Sequence, residues 1–246
     1  MKIKNILISQ QEPKAASPYT AISEKFGVRI DFKPFFVMEP LSSREFRAQR
    51  TDILSFSAIV FSSRSMIDAF FHLCEELRVK IPDTMKYFCT TEVVAMYLQK
   101  HIVYRKRKIF FGDGTPASVI SLIGSKHNGE KFLIATSTDT PNSALTKAFE
   151  QVGVDYDTSV FLKPVYQDLK DIDVKSYDMI VMYNQADLKS LLESYPDFVQ
   201  GDTKFVAYGR SVNNALVEAG YGVEIAGPTP EAPSVAKALE TYLAKA

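Results

Sequence analysis

The chain of 246 residues is 46% hydrophobic and 24% charged, the composition of a folded globular protein rather than a disordered one, at a length where one core gives way to two. Lys plus Arg and Asp plus Glu are both 29, a formal net charge of zero, so no overall field draws the chain to nucleic acid or anionic lipid and any anionic ligand must be met by local groups. No stretch approaches the roughly 20 apolar residues of a membrane span, and the apolar run within Met1 to Gln10 is too short for a signal peptide, so the expected location is the cytoplasm.

Short apolar runs alternate with amphipathic stretches of helical period, which predicts parallel sheets covered by helices, an α/β fold. In chain order the predicted strands are 3–9, 28–35, 58–61, 86–89, 109–111, 131–135, 178–182, 204–207 and 223–225. Helices are expected between most of them, the last over 232–243. Two segments break the alternation: 35–41, bracketed by Pro34 and Pro40, and 155–173, which carries Pro164 and no helical period.

The outline also repeats. Residues 177–183 and the helix after them echo 57–63 and theirs, 204–209 echo 86–91, and 131–136 echo 4–9. Two similar lobes follow, each a parallel sheet flanked by helices, with a ligand cleft between them. The broken segments read as crossings, so one lobe is discontinuous (1–36 plus 171–246), the other is inserted (40–160), and 37–39 with 161–170 form a two-segment hinge.

Cys74 and Cys89 fall in a predicted helix and a predicted strand without a partner motif and read as buried reduced thiols. His72, His101 and His127 lack metal-ligand spacing, so no metal site is expected. Gly112 and Gly114 follow a strand without a dinucleotide fingerprint or a Walker lysine. The basic run Tyr104 to Lys108 reads as a solvated edge.

Parallel sheets hold ligands at the carboxyl ends of their strands. There the sequence places Ser9-Gln10, Ser62-Ser63-Arg64, Thr90-Thr91, Thr136-Ser137-Thr138, Asn184-Gln185 and Gly209-Arg210-Ser211. Hydroxyls, amides and unpaired backbone N–H groups at helix starts suit carboxylates or phosphates. The same residue types are ordinary N-caps; six such turns together point to a polar cleft.

In order and spacing these residues resemble the uroporphyrinogen-III synthase family. The likeness rests on an opening strand ending in Ser9, on Ile59-Val60-Phe61-Ser62-Ser63 where the family has a Phe-Thr-Ser strand end, on 207–220 where it has a Gly-Pro-Thr-Thr-Ala helix start, and on Ala226-Gly227-Pro228-Thr229-Pro230 before the last helix. It implies a cofactor-free hydro-lyase that takes hydroxymethylbilane, inverts its last pyrrole ring through a spiro intermediate and closes the macrocycle with loss of water. The expected partner is that linear tetrapyrrole, with no nucleic acid or membrane, and the expected state is a monomer.

The resemblance assigns substrate binding to Ser62, Ser63, Thr90, Thr91, Asn184, Gly209 and Ser211, and leaves Tyr166 as the proton donor. The family's own tyrosine falls on Leu162, four residues earlier. Other departures are Asn184 for a serine, Asp187 for a glycine, Val212 for a hydroxyl, and Thr90 or Thr91 for the glycine of the corresponding turn. An added carboxylate at Asp187 repels a polyanion unless it points into solvent or pairs with Arg210 or Lys189. The lobe that begins at Asp178 therefore reads as eroded or adapted, and the alternative is a catalytically degenerate relative that binds a tetrapyrrole or another small anion. A third reading is an unrelated hinged binding protein.

Overall fold

The computed structural model describes residues 3–14, 17–138 and 143–245. Met1 and Lys2 of the opening segment and the terminal Ala246, at the ends of the expected discontinuous lobe, lie outside the described residues. In chain order the elements are β1 (Asn5–Ile8), α1 (Pro18–Phe26), β2 (Arg29–Phe32), β3 (Phe36–Pro40), α2 (Ser43–Ala48), β4 (Ala58–Phe61), α3 (Arg64–Glu76), β5 (Lys86–Cys89), α4 (Glu92–Tyr97), β6 (Ile109–Phe111) and α5 (Pro116–His127). There follow β7 (Phe132–Ser137), α6 (Ala144–Val152), β8 (Tyr156–Tyr166), β9 (Met179–Met182), α7 (Gln185–Ser194), β10 (Lys204–Tyr208), α8 (Arg210–Glu218), β11 (Val223–Gly227) and α9 (Val235–Leu243).

The elements fall into two units, Met1–Val37 with Val165–Ala246, and Met38–Pro164. The first carries a five-stranded sheet in the order β11-β10-β9-β1-β2, with every pair parallel. The second carries six strands in the order β3-β8-β7-β4-β5-β6, parallel from β8 to β6. The fold is α/β, as the alternation of apolar runs and helical periods predicts.

Both sheets are buried on both faces, which is why their central strands read as unbroken apolar runs. In the first unit Leu7, Ile180, Met182, Phe205 and Ala207 pack under α7 and α8, while Ile6, Ile8, Met179, Val181 and Val206 pack under α1 and α9. The second unit repeats the scheme. Ile59, Phe61, Tyr87, Cys89 and Leu133 face α3 and α4, and Ala58, Val60, Phe88, Phe132 and Ile134 face α5 and α6. Cys74 and Cys89 are free and buried, and burial alone pushes each thiol up to about 12.

Much of both crossing segments is strand: β3 covers 36–40 and β8 covers 156–166, while 167–173 is irregular as expected. β8 runs for 11 residues, and its register against β7 shifts between Thr136 and Ser137, so that Val160 and Leu162 face successive β7 residues with Phe161 inserted. Phe161 and Leu162 are therefore both buried, at 1% and 3% exposure. Two consecutive inward residues erase the period of two by which a strand is recognised, and Pro164 hides what remains.

Candidate functional site

In the second unit the register aligns Phe61 with Cys89 and Cys89 with Phe111, so the residues just beyond them, Ser62, Thr90 and Gly112, stand side by side at the carboxyl edge of the sheet. Thr90 N donates to Phe61 O at 3.0 Å, Thr90 Oγ1 to Ser62 O at 3.3 Å, and Gly112 N to Cys89 O at 3.0 Å. Ser63 and Thr91 cap α3 and α4, accepting from Met66 N at 3.2 Å and Val94 N at 3.3 Å. Ser62 is exposed and Ser63, Thr90 and Thr91 are half-buried. The exposed Arg64 lies beside this row, its guanidinium 5.6 Å from the centre of the Tyr97 ring.

Gly112 keeps this edge tight. An added Cβ would come within 2.2 Å of Ser118 Oγ and 3.3 Å of Thr90 O, so the loop after β6 closes directly on the turn after β5. Thr136 and Ser137, expected at a strand end, belong to β7 instead and are buried, with Thr136 Oγ1 donating to Ser159 O at 3.0 Å. They are structural.

The first unit builds the matching edge differently. Ser9 follows β1 and is 6% exposed; its N donates to Val181 O at 3.0 Å. Asn184 caps α7 by accepting from Ala186 N at 3.0 Å. Asp187, 1% exposed, neither points into solvent nor turns to Arg210 or Lys189. Its Oδ2 accepts from Tyr183 N at 2.8 Å and Asn184 N at 3.0 Å. The turn into α7 could offer these donors to a carboxylate, and the chain supplies its own.

Burial pushes the Asp187 carboxyl up to about 6, against the opposing pull of the two amides and of the Ser9 hydroxyl. Ser9 is close enough to be felt, yet neither Ser9 Oγ nor Asp187 Oδ1 has a hydrogen bond of ordinary geometry. Tyr183, whose amide Asp187 takes, gathers two other tyrosines. The Tyr183 phenol lies beside that of Tyr19 and is raised by burial, its ring is 6.0 Å from Tyr208, and Tyr208 donates to Ala232 O at 3.0 Å. Gly227 leaves room for the Tyr208 ring, which an added Cβ would meet at 2.6 Å.

Gly209 precedes α8 at φ 154°, and a Cβ there would stand 3.0 Å from Tyr183 O. Ser211 is exposed one residue into α8, whereas Val212 is fully buried in the core. The missing hydroxyl at Val212 is thus a packing residue. Leu162 is likewise core, and Tyr166 is half-buried at the end of β8. Along a regular strand, four residues keep a side chain on the same face but move it about 13 Å, so Tyr166 and Leu162 are distinct positions.

Sequence reasoning placed the turns but missed the inward Asp187 and the tyrosines at Tyr19, Tyr183 and Tyr208. A signal existed for the first: Asn184-x-x-Asp187 has the spacing of a capping box. Among the described residues no three His, Cys, Asp or Glu side chains converge as a metal site, and no helix is long and apolar enough to cross a membrane.

Comparison with known proteins gives the family and the fold. The family model described as uroporphyrinogen-III synthase HemD matches residues 17–237. Among solved structures, a uroporphyrinogen-III synthetase from Helicobacter pylori aligns with a TM-score of 0.57 at 15% identity, covering 99% of this chain and 100% of that one. A mutant uroporphyrinogen III synthase from the extremely thermophilic bacterium Thermus thermophilus aligns with a TM-score of 0.53 at 14% identity, covering 98% of each chain. At these identities the two structures speak for the fold. Comparison with curated proteins gives no significant match.

Proposed function

The chain belongs to the uroporphyrinogen-III synthase family, and on that premise we propose that it converts hydroxymethylbilane to uroporphyrinogen III, inverting the last pyrrole ring as it closes the macrocycle. The carrying observation is that the family match, over residues 17–237, takes in the polar strand ends after β4, β5, β9 and β10. We assign the reaction to the hydro-lyases without a cofactor, acting as a monomer in the cytoplasm on a free linear tetrapyrrole, with no nucleic acid or membrane partner.

The chemistry asks more of shape than of functional groups. A flexible chain of four pyrroles with eight carboxylates must be bent until its ends meet, and positioning of that kind supplies several kcal/mol of a barrier, up to roughly 7–11 in the best-oriented systems. The terminal hydroxyl leaves an electron-rich pyrrole as water, taking one proton from a donor. The last ring attacks the resulting exocyclic carbon through its substituted α-position, giving the spiro intermediate; the bond from that position to its original methylene bridge then breaks, the freed methylene bonds to the ring's unsubstituted α-carbon, and that carbon loses its proton. One water is lost overall.

Backbone amides and hydroxyls at strand ends hold carboxylates without a basic protein. In this reading Ser62, Ser63, Thr90, Thr91, Asn184, Gly209 and Ser211 contact substrate, Arg64 adds a cation beside Ser63, and Tyr166 is the proton donor. The alternative of a degenerate relative that only binds a tetrapyrrole gains nothing from the family match. A weak acid is sufficient because the leaving step is assisted by the ring nitrogen.

The test is product analysis. Purified protein given enzymatically generated hydroxymethylbilane is expected to yield predominantly the type III isomer, whereas spontaneous closure gives type I; type III at background level sinks the proposal. Tyr166→Phe should lower kcat about a hundredfold if the phenol supplies the proton. An unaltered rate removes Tyr166 from that role.

A further inference from the structure

Asp187 does more than finish a helix. With Asn184 it forms a capping box, accepting from Asn184 N, and it also takes Tyr183 N, which lies outside the helix. The carboxyl is also 1% exposed, in surroundings that oppose its ionisation. A third donor, the Ser9 hydroxyl on the neighbouring strand, is buried at 6% exposure and lacks an ordinary partner, as does Asp187 Oδ1. Two backbone amides and a hydroxyl around one carboxylate are the makings of a carboxylate-binding site.

We infer that Tyr183 N, Asn184 N and Ser9 Oγ form a site for a substrate carboxylate which this chain fills with its own Asp187, so that Asp187 sets how tightly the first unit holds its substrate. Its occupant is tethered three and four residues from the two amide donors. A tethered carboxylate outcompetes a free one through its effective concentration. The inference rests on the functional reading only for the identity of the displaced ligand, a propionate or acetate arm of a tetrapyrrole.

The experiment separates the site from the reaction. The full chain, labelled with ¹⁵N, is titrated with propionate as wild type, Asp187→Ala and Asp187→Asn, with Asp187→Gly as a second variant should alanine disturb the fold. The Tyr183 and Asn184 amide resonances are expected to shift saturably in the alanine or glycine variant and to stay silent in wild type. Asparagine should also be silent, because its carbonyl oxygen still accepts from both amides; a response there like that of alanine means charge, not occupancy, and overturns the inference. Amides indifferent to propionate in folded Asp187→Ala and Asp187→Gly overturn it as well.

With hydroxymethylbilane, Asp187→Ala is expected to lower KM about tenfold with little change in kcat, the worth of one charge-assisted contact. Propionate binding without type III product from any variant would retire the functional reading and leave the site standing. Normal turnover with silent amides would do the reverse.

Discussion

The turns after β4 and β9 are the same supersecondary device, an apolar strand delivered into the start of a helix, and they treat their backbone donors in opposite ways. After β4 the residues Ser62-Ser63 are exposed or half-buried, with the cap supplied by Ser63. After β9 the donors are consumed from within by Asp187, the third residue of the helix that follows. One side chain three positions past a cap thus separates the two turns: Asp187 binds amides of its own chain, and Met66 at the same place in α3 has no carboxylate to do so. Loss of a family glycine at that position looked like erosion in the sequence; in the fold it is an exchange of one acceptor for another.

The largest expected effect is on stability. The folded chain holds the Asp187 proton to about pH 6 against an ordinary 3.8, so it binds protons that the unfolded chain releases. Its contribution is complete below pH 3.8 and is lost as pH rises through 6, a cost of about 3 kcal/mol above that window. Asp187→Asn keeps the acceptor, adds a donor for Ser9 and removes the charge. Chemical denaturation of wild type and variant from pH 4 to 8 should show the variant more stable at neutral pH by up to that amount, with the curves converging near pH 4; parallel curves would mean that Asp187 titrates normally.

Gly209→Ala comes next. Its Cβ would be forced to 3.0 Å from Tyr183 O, and crowding of backbone against backbone typically costs about 2 kcal/mol. The expected result is a lower denaturation midpoint with an unchanged slope. A neutral variant would show that the turn after β9 yields easily.

The smallest pair separates capping from binding in the second unit. Ser63→Ala loses a cap worth about 1 kcal/mol, whereas Ser62→Ala, at an exposed residue, should change stability by no more than about 0.5 kcal/mol. Both are expected to raise KM several-fold. If Ser62→Ala leaves KM unaltered, the exposed row after β4 is not the ligand-facing one.

Much of this was legible beforehand. The central strands are buried on both faces, and an apolar run such as 58–61 or 178–182 has few other interpretations in an alternating chain. The turns could be found because each helix after a strand starts with Ser, Thr, Asn or Gly, residues chosen for the same donors that ligands use. What the sequence concealed was direction. Asp187 reads as a surface charge because carboxylates are rarely buried, and only the path of the chain brings Ser9, some 180 residues away, to its side. β8 was hidden by its own bulge, and the tyrosines at 19, 183 and 208 converge only once three separate strand and helix ends are in place.

The discontinuity of the first unit bears on the order in which the molecule is made. β1 takes its place between β2 and β9, with Ile6 beside Met179, so β1 waits for a strand about 170 residues behind it. At roughly 5–20 residues per second that is on the order of ten to thirty seconds, during which Ile6, Leu7 and Ile8 have only half their neighbours. The second unit, one uninterrupted stretch from Met38 to Pro164, is complete well before then. The ribosome therefore finishes the inserted unit before β9 arrives to close the sheet that β1 began.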